Sequence, residues 1–74
     1  MSYITQARPT TRVLVDGDKQ YELMFTRRRY SNATFTWVDV KVDGEWVSIG
    51  DPWQCITPKK SEMLESIRLT LANR

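Results

Sequence analysis

The residues with the most chemistry to offer stand together in the run Arg27-Arg28-Arg29-Tyr30-Ser31-Asn32. Guanidinium groups match phosphate oxygens in charge and fork geometry, a tyrosine ring stacks on a nucleobase, and serine and asparagine add hydrogen bonds. The run is read as the loop between two strands, which would concentrate the charges at a loop tip. The plain alternative is a solvated turn whose charges keep a hairpin end soluble. A second set is spread along the chain as Phe35, Trp37, Lys41 and Trp46. Large rings with a cation among them suit stacking on bases or gripping a protein anchor. Lys59-Lys60 is a third basic feature, expected in the first turn of a helix. Exposed lysines there cost only about tenths of a kcal/mol and need no bound anion to explain them.

Catalytic chemistry is poorly supplied. The chain has no histidine, which removes Ser–His and Cys–His nucleophile pairs, the commonest general base and most zinc sites. Its single cysteine, Cys55, has no histidine to activate it and reads as a small buried hydrophobe; an internal disulfide is impossible. Gly17, Gly44 and Gly50 stand at strand ends, not in a phosphate loop. Asp16, Asp18, Asp43 and Asp51 stand in turns, where aspartate bonds its own backbone, and Asp16-Gly17-Asp18 is too short for a calcium loop. A non-enzymatic domain with no metal and no cofactor is expected.

With 74 residues, 41% of them hydrophobic and 27% charged, the chain reads as a single folded domain and not a disordered tail. A net charge of +2 permits a polyanionic partner without requiring one. Residues 1–11 lack the apolar core of a signal peptide, and no stretch approaches the ~20 apolar residues of a membrane span. The expected location is the cytoplasm, with no membrane partner.

Turn signals and alternation give the elements that must position these residues. Residues 1–10 read as a flexible N-terminal arm and residues 11–74 as the domain. Strands are expected over 11–15, 19–26, 34–42 and 45–49. A helix is expected from Thr57 as N-cap and Pro58 as first helical residue to about Ala72. The fold class is α+β, a four-stranded antiparallel β-meander with one C-terminal helix packed on one face. Asp43-Gly44 is a two-residue hairpin turn that pairs Val42 with Glu45, Val40 with Val47 and Val38 with Ile49. The aliphatic side so defined lies under a helix stripe of Met63, Leu64, Ile67 and Leu71, while Leu69 points away. For Asp16-Gly17-Asp18 a three-residue loop is preferred, because it gathers Val13, Val15, Tyr21, Leu23 and Phe25 on one side. Pairing core side with core side then sets Phe25 opposite Thr36, Leu23 opposite Val38 and Met24 beside Trp37. The outer side would hold Phe35, Trp37, Trp46, Met24, Leu14, Lys41 and Arg12, unusually apolar for a solvent face. Three covers are considered: the loop Pro52 to Ile56 or the N-terminal arm, a second copy of the chain, or a binding partner.

Three antiparallel strands and a packed helix, over Tyr21 to Asn73, resemble in topology the DNA-binding domains of the integrase-arm kind. The resemblance implies DNA read by sheet residues, typically arginine and tryptophan. The expected function is a small non-enzymatic module that binds nucleic acid, DNA in particular. Arg27, Arg28, Arg29, Tyr30, Phe35, Trp37, Lys41 and Trp46 are the expected binding residues. The alternative is a protein-binding or homodimerising accessory domain, an inhibitor or adaptor of the short kind that phages and plasmids encode.

Overall fold

The computed structural model describes the backbone of Thr5–Gln6 and residues 9–73. In chain order the elements are β1 (Thr5–Gln6), β2 (Thr10–Asp16), β3 (Lys19–Arg29), β4 (Thr34–Val42), β5 (Glu45–Ser48) and α1 (Lys60–Ala72). Strands β2 to β5 form an antiparallel meander, and short β1 pairs with the C-terminal end of β3 on the edge it shares with β2. The helix packs on one side of this sheet, so the α+β meander expected from the sequence is the architecture. The arm expected over residues 1–10 lies largely outside the described residues; within it, Thr5 and Gln6 pair with Arg29 and Arg28.

Hydrophobic alternation builds the core. Leu23, Phe25, Val38, Val40 and Ile49 from the sheet side meet Met63 and Ile67 from the helix, with Leu14, Tyr21, Val42, Val47 and Trp53 packed around them. The Asp43-Gly44 turn has φ of +51° and +82°, the type I′ geometry that follows the twist of a hairpin. Its register is the expected one, with Val40 opposite Val47 and Lys41 opposite Trp46. The Ile49 N–H continues the pairing by donating to the Val38 carbonyl at 3.1 Å.

Two registers differ from expectation. Asp16 pairs with Lys19, so the first hairpin turns on Gly17-Asp18 alone, with Gly17 at φ +64°. A glycine with positive φ at the first central position is the type II′ turn, which needs no third residue. The shorter loop reverses β2: Leu14 faces the core, while Val13 and Val15 turn outward and are 60% and 46% exposed. Arg12, opposite Leu23, likewise belongs to the helix side by register. The second difference is a shift of β3 on β4, with Leu23 opposite Val40, Phe25 opposite Val38 and Thr26, not Met24, opposite Trp37. Parity is preserved, so core still meets core. The shift arises because β3 extends through Arg29 and the connection is closed by Tyr30 N–H donating to the Ala33 carbonyl at 2.8 Å. Ser31-Asn32 thus makes the turn, without a glycine and without positive φ.

The helix also starts later than Thr57. Lys59 is its N-cap, extended at φ −68° and ψ 144° with no side-chain cap bond. Pro58 is buried ahead of it. Met63 and Ile67 carry the buried stripe. Leu71 does not continue it, being 36% exposed; half-buried Ser66 and Thr70 flank the stripe instead. Leu69 points to solvent as expected. Arg68 meets Asp16 at 3.2 Å and sets the C-terminal half of α1 beside the first hairpin turn.

Ile67 is fully buried, so Ile67→Ala is expected to cost about 2–5 kcal/mol in urea denaturation. Leu69→Ala should stay within about 0.5 kcal/mol. Equal costs at the two positions would show the stripe to be misassigned.

Candidate nucleic-acid interface

Because Thr36, Val38 and Val40 are buried toward the helix, Phe35 and Trp37 between them must stand on the outer side, and the hairpin register adds Lys41 and Trp46. Phe35 and Trp37 are half-buried and Trp46 is 38% exposed. Tyr30 meets Phe35 edge to face, with centroids 5.5 Å apart and planes at 83°. Phe35 and Trp37 are 6.3 Å apart and tilted by 49°. Together with Ser31, Asn32 and Pro52 these rings line a concavity of about 430 Å³ at the Tyr30 end of the sheet.

The arginine run is not a loop tip. It is the end of β3, and the pleat sends its members to alternate sides. Arg28 lies outward, its guanidinium carbon 5.1 Å from the Trp37 ring centroid. Arg27 lies on the helix side, where Nε donates to the Ile56 carbonyl at 2.6 Å and the guanidinium stands 5.6 Å from the Phe25 ring. Arg27 is therefore tied up in structure. Arg29, opposite Thr34, is exposed on the same side as Arg27. Lys41 sits 5.7 Å from the Trp46 ring and 3.7 Å from Glu22, an exposed pair worth little in water.

The loop around Trp53 does not cover the aromatic side. Trp53 exchanges both backbone hydrogen bonds with Thr36, at 2.8 and 2.9 Å, and so shares the helix side with it and packs on the core. Thr36 Oγ1 holds the next turn of chain, 2.5 Å from the Cys55 carbonyl and 3.0 Å from that of Ile56. From this loop Pro52 reaches the margin of the outer concavity. Pro52 is not among the site features expected from sequence; Ser31 and Asn32 are expected in the connecting loop, but as part of a longer one that begins at Arg27. The signal available for the short turn is the polar pair Ser31-Asn32 between Tyr30 and Ala33, but it carries no glycine to mark it.

Register also sorts the charges. The turns at Gly17-Asp18 and Asp43-Gly44 lie at one end of the sheet, with Asp16, Asp18, Asp43 and Glu45 interspersed with Lys19, Lys41 and the Arg68 that bonds Asp16. The other end carries Arg27, Arg28 and Arg29, and the Arg27–Ile56 bond brings the start of α1, with Lys59 and Lys60, toward it. Asp51 and Glu62 are the acidic residues nearest that end in the chain. The cationic end is the end with the aromatic concavity. Among the described residues, no three His, Cys, Asp or Glu side chains gather as metal ligands, and no helix is long and apolar enough to cross a membrane.

Thr36 is a buried polar side chain. Thr36→Val should cost about 1–3 kcal/mol in denaturant unfolding, because it removes the buried hydroxyl that bonds the Cys55 and Ile56 carbonyls. Unchanged stability would contradict its role as the anchor of the loop.

Comparison with protein-family models, with curated protein sequences and with solved structures finds no match.

Proposed function

We propose that the domain is a small non-enzymatic module that binds nucleic acid, DNA in first place, through its aromatic outer side. The observation that carries this reading is Arg28. A phosphate-matching cation stands 5.1 Å over the Trp37 ring, beside Phe35 and Tyr30, at the cationic end of the molecule. Cations supply affinity that is independent of sequence, and aromatic rings supply stacking, so one surface offers both terms. Arg29, Lys59 and Lys60 strengthen the field around that end without touching the rings. The far end is less cationic, its aspartates being offset in part by Lys19 and by the Arg68–Asp16 ion pair. Binding is assigned to Arg28, Tyr30, Phe35 and Trp37 first, with Lys41 and Trp46 extending the surface.

Fluorescence anisotropy with labelled random-sequence DNA over a range of salt concentrations tests this. Arg28→Ala should flatten the slope of log K against log salt by about 0.7–0.9, the value of one phosphate contact. Trp37→Ala should weaken binding and leave the slope alone. Absence of any salt-dependent binding would remove the reading.

A second reading, a protein-binding or self-associating accessory domain of the inhibitor or adaptor kind, draws on the other end of the outer side. There Val13, Val15 and Trp46 are exposed, and the outward residues Thr11, Val13, Glu22, Lys41 and Trp46 line a hollow of about 520 Å³. Sedimentation of the isolated chain over a range of concentrations tests self-association. Under the nucleic-acid reading it stays monomeric; a dimer lost in Val13→Asp would favour the second.

A further inference from the structure

We infer that the concavity at the Tyr30 end is a slot for one unpaired nucleobase, so that the domain prefers single-stranded over duplex nucleic acid. The inference rests on the nucleic-acid reading above and names the form of nucleic acid that the same site takes. The volume of about 430 Å³ falls within the roughly 300–1,000 Å³ of small-ligand sites. Its walls are the rings of Tyr30, Phe35 and Trp37 with Pro52. The neighbouring rings stand at 83° and 49° to each other. No two of them stack in parallel, and an inserted flat ring would supply that stack. The rim is Ser31 and Asn32, both exposed and without a side-chain hydrogen bond among the described residues. They offer short donors and acceptors that could meet the edge of a base.

Charge selects the occupant. No carboxylate lines the concavity, and Arg28 stands 5.1 Å from the Trp37 ring that forms one of its walls. A proline or an aromatic side chain of a peptide would fill the walls but leave that cation unused. A nucleotide uses both, with its base among the rings and its phosphate on Arg28. A base within a duplex has both faces stacked and its pairing edge occupied, so it cannot enter without being extruded. A single strand splays a base at the least cost.

The test compares three labelled probes on the unaltered protein by anisotropy: a single-stranded oligothymidylate, the matching abasic strand with the same phosphates, and a duplex. The oligothymidylate should bind about 5- to 150-fold more tightly than the abasic strand, the range of one base–aromatic stack, and more tightly than the duplex. Tyr30→Ala should remove most of that advantage. Equal affinity for the intact and abasic strands, or a preference for duplex, would overturn the slot and leave general nucleic-acid binding standing. Failure to bind any of the three would overturn both. The comparison of probes needs no variant, so a Tyr30→Ala chain that does not fold leaves the result decisive.

Discussion

In β4 the side chains of Thr36, Val38 and Val40 are driven toward α1 and are at most 2% exposed, which commits Phe35, Trp37, Asp39 and Lys41 to the opposite side. β4 is bonded on both edges, to β3 and β5, so it cannot slip alone. A slip of one residue would put Asp39 and Lys41 under the helix, and an unpaired buried charge costs several kcal/mol. The side that holds the rings is therefore decided by the energetics of the opposite side. The same alternation fixes the path of the chain after β5. Trp53 pairs with Thr36 and must join the core, which leaves the aromatic side without the cover that this loop would otherwise provide.

Charge separation follows from the same geometry. In an antiparallel meander the first and third turns of β2 to β5 fall at one end. Both are built with aspartate because aspartate suits tight turns, so acidity accumulates there as a by-product of turn chemistry. The opposite end receives the arginines of β3. The pleat then gives those arginines separate roles. Arg27 locks the loop through the Ile56 carbonyl, and Arg28 faces outward over Trp37. Three adjacent residues of one type thus act differently, and one is the outward cation beside the rings.

The fold is legible in the sequence where turn chemistry and alternation agree. Asp43-Gly44 permits a type I′ turn and the β-branched alternation around it permits a single register, so the pairing of β4 with β5 and the aromatic side can be read directly. Around Asp16-Gly17-Asp18 the two signals conflict. Counting hydrophobic residues favours burying Val13 and Val15, but the type II′ turn at Gly17 requires two loop residues, and turn geometry prevails. Ser31-Asn32 is illegible for a different reason. It turns the chain without positive φ and hence without glycine, so the sequence reads as a strand that ends at Thr26 with the arginines in a loop. The start of the helix is displaced because Thr57-Pro58 has the composition of a cap, whereas the proline is used for packing. The aromatic members of the site are visible in the sequence. Their assembly with Pro52 into a concavity depends on contacts between distant segments and is not.

The central claim is that ligand meets the outer side of the sheet at its cationic end. NMR titration with a short single-stranded oligonucleotide tests it most directly, since Trp37, Trp46 and Trp53 report from different places through their indole N–H signals. The account predicts that the Trp37 indole and the Tyr30 and Asn32 amides shift strongly, that Trp46 shifts less, and that Trp53, on the core side, stays in place. Shifts concentrated on Trp53 and the start of α1, with Trp37 unmoved, would contradict it.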